Sequence, residues 1–214
     1  REDDRGSVIA LWETAGLLRP WNNPDLDIDR KMAEDPDGFL VGEAEGVWEQ
    51  LLEDYRAGSL LPRYQRTEPV DVATLKPFST QLIDKSWYGN AWTVMVSRGC
   101  VYHCSYCVVT PFFNKGMRYR PVGQIVDEIK NSGAKWIELH SDHLMGDPDY
   151  IRELLTALIP LNIQWMGETT VNMAKDEELL QLAAKSGMRY ILVGLETPSQ
   201  DALKKAGKGF VKVQ

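Results

Sequence analysis

Residues 92–120 read WTVMVSRGCVYHCSYCVVTPFFNKGMRYR, and the rest of the chain is organised around this stretch. A short apolar run ends at Gly99. Cys100, Cys104 and Cys107 follow with the spacing C-x3-C-x2-C, and the chain has no other cysteine. Three thiolates this close on one loop can bind three irons of a [4Fe-4S] cluster, whose irons take thiolate ligands. The fourth iron then lacks a protein ligand, so a small molecule with an amine and a carboxylate can chelate it.

A zinc site is the alternative for the same loop. Cys100, Cys104, Cys107 and His103 would together supply the four ligands of a tetrahedral zinc ion. Structural zinc ligands usually come as two pairs from separate turns, and the adjacency of His103 and Cys104 strains a tetrahedral arrangement. The spacing favours the cluster and leaves zinc open. An odd number of cysteines in one group does not form a disulfide framework, so a reducing, cytoplasmic location is expected.

The segment Cys100-x3-Cys104-x-Tyr106-Cys107 resembles the signature of radical S-adenosylmethionine (SAM) enzymes, including the aromatic residue before the last cysteine. The resemblance implies a [4Fe-4S] cluster on the three cysteines, with SAM at the open iron and Tyr106 beside the adenine or the cluster. It further implies reductive cleavage of SAM to methionine and a 5'-deoxyadenosyl radical. The electron would come from an external donor of the flavodoxin or ferredoxin type.

Composition indicates a soluble globular protein of 214 residues, with 43% hydrophobic residues and a net charge of −7. No run approaches the ~18 apolar residues of a membrane span, and no basic-then-apolar signal segment begins the chain. The negative charge disfavours a broad nucleic-acid surface, which needs a basic face. The chain begins at Arg1, without a methionine and in the charged run REDDR, so an excerpt of a longer protein is expected.

Residues 1–60 are predicted to form part of a small, Rossmann-like α/β domain. Residues 7–12 and 38–42 are apolar runs of strand length, and residues 43–57 place apolar side chains at helical spacing. Residues 61–90 contain three prolines and little periodicity, which predicts an extended linker.

The stretch FLVGEAEGVWEQLLEDYRAGSL resembles the last strand and helix of the cobalamin-binding domain that precedes the radical SAM domain in one large subgroup. Many such domains use a histidine in place of the lower axial ligand of cobalamin. No histidine precedes His103, so this N-terminal region cannot supply one. Cobalamin binding therefore stays open.

From residue 91 the sequence alternates strand-like runs with amphipathic helices. The four predicted strands cover residues 92–96, 135–139, 163–166 and 189–193. The following helices are predicted to begin at Pro121, at the Asp147-Pro148 cap, at the Asp176 cap and at Thr197-Pro198. Such repeats predict a parallel sheet with right-handed crossovers. Radical SAM domains are commonly partial (β/α) barrels of six units, so residues 91–214 are predicted to be four units of one, incomplete at the C-terminus.

Function in parallel α/β folds gathers on the loops after the carboxyl ends of the strands. After the predicted strands, the cofactor-binding candidates are Tyr106, Asp142, Thr170, Asn172, Gly194 and Glu196. The run Gly194-Leu195-Glu196-Thr197 resembles a recurring G-L-E-[ST] segment whose carboxylate faces SAM. The resemblance implies that Glu196 accepts hydrogen bonds from the ribose or pairs with the SAM ammonium; the alternative is an acid at a helix start.

His143 is the second catalytic candidate besides Glu196, because a histidine near the open iron can change charge near neutral pH. The alternative is an ordinary loop residue. The resemblance implies a small-molecule or natural-product substrate, and possible cobalamin-dependent methyl transfer. Methylthio-transferring members need further cysteines, which this chain lacks. Two rival readings stay open: a truncated radical SAM domain that holds a cluster without turnover, and a zinc-stabilised α/β binding module.

Overall fold

A computed structural model of the chain describes residues 39–77, 90–113 and 116–212. The chain divides into two compact units, residues 1–68 and 69–214. The strand predicted at residues 7–12 lies outside the described residues. Among the helices of the described ranges, none has the length and apolar composition that crossing a bilayer requires.

The described part of the first unit is a β-α-β arrangement. Strand β1 (Phe39–Val41), helix α1 (Val47–Ala57) and strand β2 (Arg63–Gln65) follow one another, and the two strands pair in parallel. Helix α1 ends at Gly58, whose φ of 68° lies in the left-handed region that glycine adopts readily. The strand predicted at 38–42 and the helix predicted at 43–57 are thus confirmed, with the helix starting at Val47. Strand β2 lies inside the predicted linker 61–90.

Within the described residues, most of the regular structure lies in the second unit. In chain order its elements are β3 (Ala91–Met95), β4 (Ser97–Cys100), α2 (Val109–Phe112), β5 (Gly116–Tyr119), α3 (Val122–Ser132), β6 (Trp136–His140), α4 (Pro148–Leu158), β7 (Gln164–Thr169), α5 (Glu177–Lys185), β8 (Met188–Val193) and α6 (Gln200–Lys205). Strands β3, β6, β7 and β8 form one parallel sheet in that order. This order confirms the predicted α/β class and the four successive strand–helix units.

One face of this sheet is buried and the other is more open. Along β6 and β7 burial alternates with the two-residue period of a strand, and Ile137, Leu139 and Trp165 are fully buried. Helix α4 contributes its apolar stripe to the same core, with side chains Ile151, Leu154, Leu155 and Leu158. The open face carries more polar residues. The sheet is therefore covered by helices on one side.

Two of the predicted helix caps are confirmed. Asp147 accepts hydrogen bonds from the backbone N–H groups of Asp149 and Tyr150 at 3.0 and 3.1 Å. Asp176 accepts one from Leu179 at 2.9 Å. These bonds satisfy N–H groups that have no partner within the first turn of a helix.

The predicted start of the last helix at Thr197-Pro198 is wrong. Helix α6 begins at Gln200, and the hydroxyl of Ser199 accepts from the backbone N–H of Ala202 at 3.3 Å. The Thr197 hydroxyl instead accepts from the backbone N–H of Ser199. Ser199 is therefore the N-cap, because its oxygen reaches the first turn and that of Thr197 does not.

A two-stranded antiparallel hairpin was not predicted. Strands β4 and β5 pair with Cys100 opposite Gly116. Residues 100–107, which we name the cysteine loop, therefore begin at the end of a strand. Gly99 has a φ of 91°, and a Cβ there would lie 2.1 Å from the carbonyl oxygen of Gly116. Only glycine fits this crossing of the two strands.

Candidate functional site

Cys100 and Cys107 lie at the two ends of the cysteine loop, and Cys104 lies within it. Cys100 ends β4, and Cys104 and Cys107 precede α2; all three are partly exposed. Burial raises the pKa of the Cys100 thiol, and the nearby thiols of Cys107 and Cys104 raise it further. Burial likewise raises the pKa of Cys104. The thiols are therefore close enough to influence one another, and iron binding would release their protons.

A single-ion site is not formed by these residues. In the described ranges no three His, Cys, Asp or Glu side chains converge closely enough to hold one metal ion. The four ligands of the alternative zinc site, including His103, do not make such a group. The three cysteines alone do not form a single-ion site either. A [4Fe-4S] cluster does not need one, because each of its cysteine ligands binds a different iron. Three thiols on one loop are soft donors, which fits iron–sulfur chemistry.

Hydrogen bonds from the next strand hold the start of the loop. Asp142, which follows β6, accepts from the backbone N–H of Gly99 at 2.8 Å, immediately before Cys100. The hydroxyl groups of Ser97 and Ser141 lie 2.6 Å apart in the buried layer below. The carboxylate of Asp142 was predicted to bind a cofactor; the structure shows it bonded to the loop backbone.

Residues 206–211, which we name the brace, hold the middle of the loop. The backbone N–H of Ser105 donates to the carbonyl of Ala206 at 2.9 Å. The rings of Tyr102 and Phe210 are stacked, with centroids 3.5 Å apart and planes inclined by 8°. The brace was not predicted from the sequence. Its available signal was a lysine between two glycines, Gly207-Lys208-Gly209.

Glu196 lies beside Cys104 and is bound to a buried lysine of the brace. Lys208 Nζ donates to Glu196 Oε1 at 2.6 Å, and the side chains are 8% and 40% exposed, respectively. The Lys208 hydrogen bond lowers the pKa of Glu196, and a hydrogen bond from Tyr106 lowers it further. Burial alone would lower the pKa of Lys208, but its bonds with Glu196 and Tyr106 outweigh burial and raise it. The structure therefore brings Tyr106 and Glu196 together, as two candidates of one site.

Gly194 is part of the same arrangement. A Cβ at this position would lie 2.5 Å from Glu196 Oε1 and 2.9 Å from Lys208 Nζ. A side chain here would require the charged ends of Glu196 and Lys208 to shift. Glu196 itself has a φ of 64°, in the left-handed region that residues with a Cβ rarely adopt.

His143 lies in the buried layer below the loop and away from solvent. Its Nδ1 is 3.3 Å from the hydroxyl of Thr169, and its ring centroid is 5.2 Å from that of Tyr102. Burial lowers the pKa of His143 to about 4. The prediction of acid–base catalysis assumed a charge change near neutral pH. Here the imidazole stays neutral at that pH and can still exchange one hydrogen bond with Thr169.

Thr170 and Asn172 follow β7, at the start of a 3-10 turn. Thr170 precedes a 3-10 turn, Val171–Lys175, and the Asn172 side chain accepts from Lys175 at 2.9 Å. A cavity of about 390 Å³ lies next to Glu196, and neither Thr170 nor Asn172 lines it. The lining of this cavity is mainly apolar and consists of Val171, Leu195, Glu196, Thr197, Pro198, Val211 and Lys212. A larger cavity, of about 590 Å³, opens where Trp136 and Gln164 begin their strands, at the edge opposite the cysteine loop.

Comparison with known proteins gives one family and several relatives. The family model described as Radical SAM superfamily matches residues 94–213. Bacteriochlorophyllide d C-12(1)-methyltransferase of Chlorobaculum tepidum is 26% identical over 185 residues, which cover 82% of this chain and 41% of that protein. Cytidylyl-2-hydroxyethylphosphonate methyltransferase of Streptomyces wedmorensis is 33% identical over 136 residues, covering 61% and 25%.

A short stretch of the chain matches a different kind of protein. An acetyltransferase of Pectobacterium atrosepticum is 59% identical over 46 residues, which cover 22% of this chain and 33% of that protein. This match spans too little of the acetyltransferase to show a second family.

Among solved structures, the chain is similar to the radical SAM methyltransferase TsrM of Kitasatospora setae. The structure with tryptophan substrate and a SAM analogue has a TM-score of 0.59 and 19% identity, covering 78% of this chain and 40% of that one. A second, with cobalamin and a [4Fe-4S] cluster bound, has a TM-score of 0.52. At this identity the likeness shows the fold alone.

The chain spans less than half the length of the methyltransferases that it matches. The family match itself is broader with respect to this chain, since it includes the cysteine loop, all four parallel strands but the first residues of β3, and the brace. Because this match covers more than half of the 214 residues, the chain belongs to the radical SAM superfamily.

Proposed function

We propose that this chain is the cluster- and SAM-binding part of a radical SAM methyltransferase. Cys100, Cys104 and Cys107 would hold a [4Fe-4S] cluster, and Glu196 would meet SAM at the open iron. When bound, the cluster supplies the one-electron reduction that splits SAM into methionine and a 5'-deoxyadenosyl radical. The observation that carries the proposal is the placement of three mutually interacting thiols beside the Glu196–Tyr106 pair.

The residues around the loop would fix its shape. Asp142 anchors the backbone before Cys100, and the carbonyl of Ala206 anchors it after Cys104. The stack of Tyr102 on Phe210 joins the loop to the brace. Preorganised ligands of this kind bind a cofactor without a large ordering cost. Tyr106 and Glu196 would orient SAM, and neutral His143 would support Tyr102 from below.

Methyl transfer to a small molecule is proposed because the relatives reported above are methyltransferases, and one related structure contains cobalamin. In the described part of the first unit, residues 39–68, there is no histidine. This part of the chain therefore cannot supply a histidine ligand to cobalamin. An external electron donor, a cytoplasmic location and a partial barrel built on the four-stranded sheet complete the proposal. Thr170, Asn172 and Gly194 remain proposed contacts of the cofactor side.

Anaerobic reconstitution with iron and sulfide tests the proposal. Addition of dithionite and SAM should yield 5'-deoxyadenosine, measured by chromatography and mass spectrometry. The Cys104→Ala variant should lose both the cluster absorbance and the product, since two thiols cannot hold the cluster. Val108→Ala, an exposed position next to Cys107, is the matched control and should keep both.

The outcomes separate the rival readings. Zinc without iron or sulfide in the anaerobic protein would show a zinc-stabilised binding module. A cluster that gives no 5'-deoxyadenosine would show a scaffold without turnover. Retention of the cluster in Cys104→Ala would contradict the ligand assignment itself.

A further inference from the structure

Lys208 is a buried lysine at the edge of the cysteine loop. Its ammonium donates to Glu196 Oε1 at 2.6 Å, and the side chain is 8% exposed. Tyr106, which precedes Cys107, lies close enough to both members of the pair to shift their pKa values. A buried ammonium is costly unless a partner offsets the loss of hydration. The fold therefore holds Lys208 on Glu196 and Tyr106 as its partners.

The backbone is shaped to admit this pair. Gly194 leaves the space that a Cβ would take from both charged groups. Gly207, with a φ of 71°, lets the chain turn directly against the His103 carbonyl, where a Cβ would lie 2.7 Å from the oxygen. Glu196 adopts a left-handed φ of 64° to reach its position. Three unusual backbone positions thus bring one lysine and one carboxylate together beside Cys104.

The pair is closed on one side and open on the other. Lys208 is buried, whereas the Glu196 side chain keeps 40% of its surface exposed. Glu196 also borders the apolar cavity formed by Leu195, Pro198 and Val211. A carboxylate has about four acceptor positions on its two oxygens, so one lysine does not use them all. Glu196 can therefore accept from a ligand while Lys208 fixes its direction.

We propose that Lys208 is a positioning residue, which orients Glu196 for SAM without touching SAM itself. The inference rests on the proposed function, because it assumes that Glu196 meets SAM. It predicts that Lys208 influences SAM only through Glu196. Lys208 and Glu196 should consequently behave as one unit, and removal of both should cost no more than removal of Glu196 alone.

The experiment measures SAM binding, and not turnover, in the full reconstituted protein. The dissociation constant of SAM and the change in the electron paramagnetic resonance spectrum of the reduced cluster on SAM addition are compared for Lys208→Met, Glu196→Gln and the double variant. Loss of a charge-assisted hydrogen bond predicts roughly tenfold weaker binding in each single variant. In the Glu196→Gln background, Lys208→Met should change the affinity less than about twofold.

Lys204→Met is the matched control, since Lys204 lies four residues earlier, in helix α6, and is exposed, near Asp201. It should bind SAM as the unaltered protein does. If circular dichroism shows that Lys208→Met is unfolded, Lys208→Gln takes its place in the same comparison. Wild-type affinity in a folded Lys208 variant, or independent losses that multiply in the double variant, would overturn the inference. Failure of the unaltered protein to bind a cluster or SAM would instead contradict the proposed function.

Discussion

Two ion pairs in the second unit have similar chemistry and different surroundings. Arg120 Nη1 lies 2.7 Å from Glu128 Oε2, and both side chains are almost fully buried. Lys208 Nζ lies 2.6 Å from Glu196 Oε1, but that carboxylate is 40% exposed. In both pairs the cation is buried. The exposure of the carboxylate is what distinguishes them.

This difference separates a pair that holds the fold from a pair that can meet a ligand. Arg120 also donates to the carbonyl of Met95 at 3.0 Å, so it ties the end of β3 to helix α3. No part of Glu128 is left for an outside molecule. Glu196 lies at the cysteine loop with acceptor capacity to spare. Exposure of the acidic partner is therefore a better guide to function than the pair itself.

Breaking the enclosed pair should have the largest effect on stability. Arg120→Met leaves Glu128 buried without its cation, which typically costs about 3–5 kcal/mol of unfolding free energy. Urea unfolding followed by circular dichroism measures this loss. The double variant Arg120→Met/Glu128→Leu should recover most of it, because no buried charge remains. A loss below about 1 kcal/mol in the single variant would mean that burial does not separate the two pairs.

His143 sharpens the comparison, because it is buried without a charged partner. Its folded pKa of about 4 lies below the ordinary value of 6.5. Between these values the unfolded chain binds more protons, so stability is present above pH 6.5 and falls as the pH drops toward 4. The slope approaches about 1.4 kcal/mol per pH unit for one proton. In His143→Gln the free energy of unfolding should depend less steeply on pH over this window. An unchanged slope would mean that other groups titrate there.

Breaking the half-open pair should have the smallest effect on stability. Glu196→Gln keeps an acceptor oxygen for Lys208 but leaves that buried ammonium without its counter-charge, so the expected cost at pH 7 is about 1–2 kcal/mol, below that of Arg120→Met. The pKa of Glu196 is lowered by Lys208 from its usual 4.5. Its contribution is therefore present above pH 4.5 and is lost as the pH falls through the folded pKa. The same urea series, continued below pH 4.5, should show the variant and the unaltered protein converging.

Much of the fold follows from local patterns. The strands of the parallel sheet are visible as short apolar runs. Asp147 and Asp176 predict the starts of two helices, because an N-cap residue bonds to its own helix and needs no distant contact. The hairpin of β4 and β5 was missed because fifteen residues separate its strands, without the tight turn that marks most hairpins. The start of α6 was missed because Thr197 and Ser199 are both good caps, and only geometry chooses between them.

The site was predictable to a smaller extent. The spacing of the cysteines predicted them as ligands, and the resemblance of residues 194–197 to a family segment predicted Glu196 as a site residue. Lys208 has no such pattern, because its partners come from other parts of the fold. The neutral state of His143 depends on burial below the loop, which the surrounding sequence does not encode locally. Charge state and pairing partner are tertiary properties.

The brace also sets an order of events in biosynthesis. The Ser105–Ala206 hydrogen bond and the Tyr102–Phe210 stack join positions about one hundred residues apart. Contacts across such long stretches form late, because closing them costs chain entropy. A nascent chain that has not yet emerged from the ribosome through residue 211 thus presents three thiols without the backbone that fixes them. A cluster bound by these cysteines should accordingly be inserted after the last β/α unit has been synthesised.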